Sequence, residues 1–342
     1  MNLHKGVDIV LPNYNKNKYI DKCLYSLINQ TFSSWRCIVV DGFSDDGSWE
    51  KIQEFANKDK RFQLYQIPRQ GLYNSWNFGL SKVNSPYFCI LTSDDLWTPK
   101  WLETAVESLA SCETAICAAA RTIIINSESQ WGDIAPFNLI GDKFFTKDTS
   151  TTQLRSGNLN IIANYFIGPI YSSIHSLLMR SKILTEGENF SEDIGSTADY
   201  EWYIKLGFYG DIVYHPDIEV GWRVYEGQAT EPKMQEENGK LIQEIHRRNR
   251  IKIADKLGKA GDRFLEISEM YDRSVLAYHY ARPCLENIRY QPLVELPKLI
   301  KTIFTMPREF VTDCLFKIFG KKFYLESSLS TALKFQKIYE SL

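Results

Sequence analysis

The sequence predicts an α/β fold: a mostly parallel sheet flanked by helices on both faces, followed by a helical extension. Three observations predict it. From Val7 to Ile125 short apolar runs alternate with segments of helical periodicity, the pattern of strands joined by crossover helices. Two acidic clusters, Asp41-Gly42-Phe43-Ser44-Asp45-Asp46 and Ser93-Asp94-Asp95, each follow directly on an apolar run. In such folds the loops after the parallel strands gather at one edge, so those carboxylates converge on one crevice. From about Glu231 the composition shifts to helix formers, without another Asp-rich loop or Gly motif.

Taken in order, Val7 to Leu11 reads as a buried strand that stops at Pro12. Ile20, Cys23, Leu24, Leu27 and Ile28 fall at helical spacing on one face, which predicts the first helix. Trp35 to Val40 is the second strand. Trp49 to Asn57 is a short helix, with Ser48 placed to cap it. Phe62 to Gln66 is a strand, Leu72 to Leu80 a helix, Tyr87 to Leu91 a strand, Lys100 to Ala110 a helix and Ala115 to Ile125 a strand. Residues 126–164 are polar with scattered Gly, Thr and Asn, and read as irregular loops over the crevice. Ile170 to Arg180 reads as extended, Asp199 to Tyr209 as a helix, and Asp211 to Tyr214 and Ile218 to Val224 as two strands.

Composition narrows the function. The chain has 342 residues, an apolar fraction of 44% and a net charge of -2. That balance argues against nucleic acid as a partner, which calls for a basic surface. The seven cysteines form no Cys-x-x-Cys pair and several lie inside apolar runs. They read as small buried hydrophobes in a reducing compartment. The chain enters a strand by Val7 with no signal-peptide pattern and no apolar stretch near the roughly 20 residues of a spanning helix. The expected location is the cytoplasm.

The strand-end residues suggest a chemistry. Asp94 and Asp95 suit Mg²⁺ or Mn²⁺, which keep waters and take phosphate oxygens as further ligands; capping of the next helix is the competing role. At the first edge, Pro12-Asn13-Tyr14-Asn15 and Asp41 offer a ring that stacks on a base and a carboxylate that accepts from a base N–H or ribose hydroxyls. Turn formation is the competing role there. Between the edges lies Arg69-Gln70-Gly71-Leu72-Tyr73-Asn74-Ser75-Trp76-Asn77. Gly71 permits close backbone approach, the helix amino end favours anions, Arg69 is suited to a phosphate or the base rim, and Asn74 and Asn77 to sugar hydroxyls.

The ordered set Pro-Asn-Tyr-Asn, Val-Val-Asp-Gly-x-Ser-x-Asp-Gly-Ser, Gly-Leu-Tyr-Asn-x-x-Asn-x-Gly and Ser-Asp-Asp resembles the glycosyltransferase family 2 enzymes of GT-A fold, a Rossmann-like α/β architecture. The resemblance is firm over about residues 6–110 and looser over 165–230. It implies a GT-A domain at 1–230, with a nucleotide-binding half at 1–125 and an acceptor half at 126–230, and a helical extension at 231–342. It implies that Asp41 contacts the base and that Asp94 is the metal-binding aspartate of an Asp-x-Asp motif. The motif's first aspartate is Thr92 here, which leaves Asp95 as a possible second ligand, direct or through water. Pro12, Tyr14, Asn15, Arg69, Gly71, Asn74 and Ser93 join the donor-binding set. Asp199, in Ala198-Asp199-Tyr200-Glu201-Trp202, looks like the family's general base, with Glu201 as runner-up. His175 looks like a position near the acceptor side, and Arg223 like the basic residue that steadies the diphosphate.

The implied activity is inverting transfer of a sugar from a nucleotide diphosphate sugar to an acceptor hydroxyl, with Mg²⁺ or Mn²⁺ as cofactor. The acceptor it suggests is a glycan or lipid-linked glycan of a bacterial surface polysaccharide. Two rival readings are a sugar nucleotidyltransferase, whose Gly-rich basic loop Pro12 to Asn15 does not match, and a non-catalytic nucleotide-sugar binding module. The segment from Leu296 to Phe323 mixes aromatic and aliphatic residues with lysines and an arginine. It reads as a helix on the core, a homodimer contact, or a peripheral helix on the cytoplasmic face of a membrane.

Overall fold

The computed structural model describes residues 6–146, 148–225, 228, 235–272, 291, 293–294, 297–298 and 321–342. The described chain separates into two compact units. The first comprises residues up to 160 with 169–193 and 198–226, and the second comprises 161–168, 194–197 and the residues from 227 onward.

The first unit is built on a ten-stranded sheet. Strand β1 (Val7–Asn13) is buried throughout. It pairs in parallel with β2 (Trp35–Asp41) on one side and β4 (Tyr87–Ile90) on the other, and β3 (Phe62–Gln66) continues the parallel set beyond β2. Continuous apolar runs suit such central strands because both faces are covered. The one charge inside β1, Asp8, is fully buried and is met by Arg36 in a two-pronged pair at 2.9 and 2.6 Å.

Helices α1 (Ile20–Ile28), α2 (Ser48–Lys58), α3 (Leu72–Leu80) and α4 (Trp101–Ser111) follow where the periodicity puts them. In α1 the buried residues are Ile20, Cys23, Leu24 and Leu27. Ser48 is not the cap of α2: Gly47 holds that position at φ +89°, and the Asp46 carboxylate accepts the Ser48 N–H at 3.0 Å. The Ser48 hydroxyl instead accepts from Asn13 at 3.0 Å. Helix α3 lies close on β1 through Gly79, where an added Cβ would come within 2.3 Å of Val10. Gly79→Ala is therefore expected to destabilise the protein by about 1–3 kcal/mol, read by thermal or denaturant unfolding.

The sheet continues β4, β9 (Leu177–Arg180), β6 (Ala115–Ile125), β10 (Asp211–Arg223) and β5 (Leu96–Trp97), with β7 (Trp131–Ile134) on β6 and β8 (Gln153–Arg155) on β10. Strand β6 is parallel to β10, while β9 runs antiparallel between β4 and β6. Three expectations need correction. Residues 126–164 are not irregular: they hold β7, α5 (Pro136–Phe145), β8 and most of α6 (Gly157–Ile167). Their apolar periodicity is interrupted by buried polar residues with partners, such as Asn138, which accepts from Thr122 N at 2.6 Å, and Asp142, which pairs with Arg155 at 2.8 Å. Of residues 170–180 only 177–180 form a strand, and 174–176 form a short 3-10 turn. The two strands expected over 211–224 are one, with an irregularity between His215 and Glu219 where Pro216 interrupts the ladder.

The remaining helices of the first unit are α7 (Lys182–Thr185) and α8 (Ala198–Tyr209). The second unit holds α9 (Gln235–Leu257), the chain to Asp272 and α10 (Lys321–Ser341). Its interior is aromatic: Tyr165 stacks on His246 with centroids 3.9 Å apart, and Phe166, Phe264, Tyr271 and Phe335 pack around them. Asp272 is buried there against His246 at 2.5 Å and the Tyr165 hydroxyl at 2.9 Å, with Arg250 as its cationic partner.

Cys23, Cys37, Cys89, Cys112 and Cys117 are free thiols, all but Cys112 buried. Cys284, Cys314 and nearly all of the expected amphipathic segment 296–323 lie outside the described residues. No helix among the described residues is long and apolar enough to cross a membrane.

Candidate active site

The carboxyl ends of β1, β2 and β4 form one edge, and four consecutive residues tie its two acidic clusters together. Asn13 lies opposite Asp41 in the β1–β2 register and donates to its carboxylate at 2.8 Å. Lys16, three residues on, reaches Asp94 at 2.8 Å. The Cα atoms of Asn13 and Lys16 are at most about 11 Å apart at ~3.6 Å per residue. Asp41 and Asp94 therefore flank one crevice.

Asp41 is fully buried and accepts four hydrogen bonds: from Asn13 Nδ2 at 2.8 Å, Ser44 N at 2.9 Å, Ser44 Oγ at 2.6 Å and Gln66 Nε2 at 3.0 Å. A base reaching this carboxylate takes the place of one of these donors, and Gln66 is the only one of them from outside the two loops. Asn15, at φ +51°, bonds Asp45 at 2.9 Å and Ser44 at 3.0 Å, so it joins the loops. Pro12 is buried within β1, which runs one residue past it. The Tyr14 ring is exposed, with the Arg69 guanidinium 4.2 Å from its centroid. Gly71 has φ +113° and open space where a Cβ would stand, a backbone that disfavours other residues.

The second cluster divides its labour. Asp95 is buried and fully engaged: Oδ1 accepts from Arg223 N at 2.7 Å, and Oδ2 faces His175 Nδ1 at 3.0 Å and takes the Thr92 hydroxyl. Asp95 and Thr92 therefore bond each other and the surrounding frame. Ser93 is buried beside them. Asp94 differs, because its side-chain hydrogen bonds among the described residues fall on Oδ2, from Lys16 Nζ at 2.8 Å and Tyr225 OH at 2.8 Å. Burial works against the Lys16 charge, but Asp94 and Tyr225 outweigh it and hold the ammonium above its ordinary value.

Three other expected site residues are buried. The Arg223 guanidinium donates to Asp94 O at 2.6 Å and Asn126 O at 2.6 Å and so braces the acidic loop, while its Nη2 is buried without a hydrogen-bond partner among the described residues. His175 is fully buried between Ser173 Oγ at 2.6 Å and Asp95. Glu201 is buried, with Ser191 Oγ at 2.5 Å and Lys205 at 3.4 Å. Asn74 and Asn77 are drawn to Glu192 at 3.5 and 2.8 Å, and so hold the 190–192 segment.

Asp199 opens α8 and is half-buried. Its Oδ1 accepts from Tyr200 N at 2.8 Å and the Tyr73 hydroxyl at 3.3 Å, while its own N–H donates to the same hydroxyl at 3.3 Å. Loss of water pushes its carboxyl up to about 6, against the opposing pull of these hydrogen bonds. Tyr73 stands at the start of α3, four residues after Arg69, and is fixed by stacking on Phe190 at 5.6 Å. The buried Tyr203 phenol is pushed up first by burial and then by charges that include both Asp199 and Asp95. Sequence reasoning missed Lys16, Tyr73 and Tyr225. The signal for Lys16 was present as the one cationic residue next to Pro12 to Asn15.

Against this geometry, residues 8–173 match the sequence profile described as "Glycosyl transferase family 2". Residues 8–173 are a glycosyl transferase family 2 domain. The chain is accordingly an enzyme of the glycosyltransferase class. An uncharacterised glycosyltransferase of Haemophilus influenzae is 26% identical to it over 297 residues, 85% of this chain and 87% of that protein. A chondroitin synthase of Escherichia coli is 27% identical over 235 residues, 68% of this chain and 31% of that protein. Among solved structures, S. aureus TarS in complex with UDP-GlcNAc superposes with a TM-score of 0.58 at 18% identity, covering 98% of this chain and 92% of that one. The mannosyltransferase PcManGT of Pyrobaculum calidifontis, in complex with GDP-Man and Mn²⁺, gives 0.57 at 14% identity, covering 98% and 88%. Both share the GT-A fold with this glycosyltransferase.

Family 2 enzymes of this fold generally use a divalent cation. Among the described residues no group of three or more His, Cys, Asp or Glu is arranged to hold one. The donor set still fits Mg²⁺ or Mn²⁺, because the side-chain hydrogen bonds of Asp94 among the described residues fall on Oδ2 and these ions take one or two carboxylates with the rest from phosphate and water.

Proposed function

We propose that this glycosyltransferase moves a sugar, with inversion, from a nucleotide diphosphate sugar to an acceptor hydroxyl in bacterial surface polysaccharide synthesis. The observation that carries the reading is the carboxyl edge of the parallel strands, where Asn13 bonds Asp41 and Lys16, three residues on, bonds Asp94. The chondroitin synthase relative and the nucleotide-sugar complexes of the fold neighbours support the substrate class.

In this reading the Tyr14 ring and the Arg69 guanidinium border the base, Asp41 anchors its edge or the ribose, and Gly71 lets the backbone come close. Asp94 would hold the divalent cation, which when bound supplies charge neutralisation for the departing diphosphate. Asp199 takes the proton of the acceptor hydroxyl as its oxygen attacks the anomeric carbon. Tyr73 keeps that carboxylate aimed. The transition state is oxocarbenium-like, and a direct displacement needs no covalent intermediate. A location at the cytoplasmic face of a membrane is consistent with a lipid-linked acceptor.

A screen for nucleoside diphosphate release across UDP-, GDP- and dTDP-sugars with Mg²⁺ or Mn²⁺ tests the reading, with the anomeric configuration of the product read by NMR. A retained configuration, or no release from any donor, overturns it. The pH dependence follows from Asp199. The base must be ionised, so kcat is expected to fall about tenfold per pH unit below about 6 and to level off above it. A flat profile from pH 5 to 8 overturns Asp199 as the base.

A further inference from the structure

The ammonium of Lys16 stands on the carboxylate of Asp94, the group assigned above to the cation. It bonds the same Asp94 oxygen that Tyr225 bonds, each at 2.8 Å, and the two donors also contact one another. The backbone of Lys16 is fixed, because its carbonyl accepts from Tyr19 N and Ile20 N, each at 2.9 Å, at the start of α1. Its side chain is anchored only at the Asp94–Tyr225 end and is 25% exposed. Four rotatable carbons let such an ammonium swing while its Cα stays still.

A divalent cation on Asp94 would sit about 2.0–2.1 Å from a carboxylate oxygen. An ammonium on the same carboxylate would then face it across a few ångströms, and like charges at that range repel. The diphosphate resolves the conflict, since it brings negative oxygens for both cations.

We propose that Lys16 is an exchangeable counter-ion: it neutralises Asp94 while the crevice is empty and transfers to the donor's phosphate oxygens when cation and nucleotide enter together. The proposal rests on the donor reading above, with Asp94 as the cation's carboxylate. Its consequence is coupled binding, with the cation held weakly alone and tightly with nucleotide, and by linkage the nucleotide tightened by the cation by the same factor. Tyr225 caps the same oxygen without charge, so it contributes shape but not repulsion.

The test is Mn²⁺ binding by electron paramagnetic resonance on the full chain, alone and with UDP or GDP, for wild type, Lys16→Met, Lys16→Arg and Tyr225→Phe. Wild type is expected to bind Mn²⁺ at least ~10-fold tighter with its nucleotide, within the usual range of coupling factors. Lys16→Met should bind Mn²⁺ alone about 10-fold tighter than wild type and nucleotide about 10-fold weaker, so that the coupling collapses. Lys16→Arg should keep the coupling, and Tyr225→Phe should change it far less than Lys16→Met. Unchanged Mn²⁺ affinity in Lys16→Met, or equal effects of Lys16→Met and Tyr225→Phe, overturns the exchange while leaving the donor reading intact. Wild type that binds neither nucleotide removes the donor reading, and this proposal with it.

Discussion

Asp199→Asn is expected to lower kcat by about 10²–10⁴-fold, the usual contribution of a positioned general base. The amide keeps the shape and accepts the same bonds from Tyr200 N and Tyr73, but it cannot take a proton from an attacking hydroxyl. Donor affinity should stay within a few-fold of wild type, measured by calorimetry with the nucleotide. Stability separates this effect from misfolding. The folded-state value of about 6 lies above an ordinary aspartate's ~3.9, so the folded protein holds this proton more tightly than the unfolded chain does. Whatever stability the protonated group contributes is complete below ~3.9 and lost as pH rises to about 6. At pH 7.5 the carboxylate is a burden on the fold, and Asp199→Asn should melt no lower than wild type. Undiminished turnover in a well-folded variant would show that another group removes the proton.

Asp94→Ala is expected to act on the donor instead. Charge stabilisation of a leaving diphosphate is worth several kcal/mol, and 3–4 kcal/mol corresponds to ~10²–10³-fold in kcat/KM. The residual rate should no longer respond to chelation, because the carboxylate that recruits the cation is gone. The neighbouring Asp95 is unsuited to the same experiment, since it accepts from Arg223 N at 2.7 Å and meets His175 at 3.0 Å. Its loss would disturb the loop itself. Wild-type kcat/KM in Asp94→Ala, with metal chelated, would exclude Asp94 from donor chemistry.

The parallel core was readable from sequence because β1, β2 and β4 are almost wholly buried and so appear as predominantly apolar runs, with polar turns between them. Residues 126–167 were not, because their helices bury amides and carboxylates with partners distant in sequence. Asn138 answers to Thr122 N and Ile170 O, and Asn160 to Tyr203 O. No local periodicity announces such partners. Within the site, Asp41, Asp94 and Asp199 stand out because each carboxylate sits where an element ends or begins. Partner choice was hidden: Arg223 and Lys16 are both basic and both touch Asp94, yet the buried Arg223 takes its main-chain carbonyl and the partly exposed Lys16 its carboxylate. A long side chain's aim is decided by what packs around it, and Tyr19 under the Arg223 guanidinium at 4.6 Å is a contact from the other end of the domain.

The short run from Asn13 to Lys16 works as a molecular ruler. It fixes by covalent geometry how far the Asn13–Asp41 contact lies from the Lys16–Asp94 contact. On the proposed reading, substitutions there would weaken a donor without rescaling the distance between its two ends.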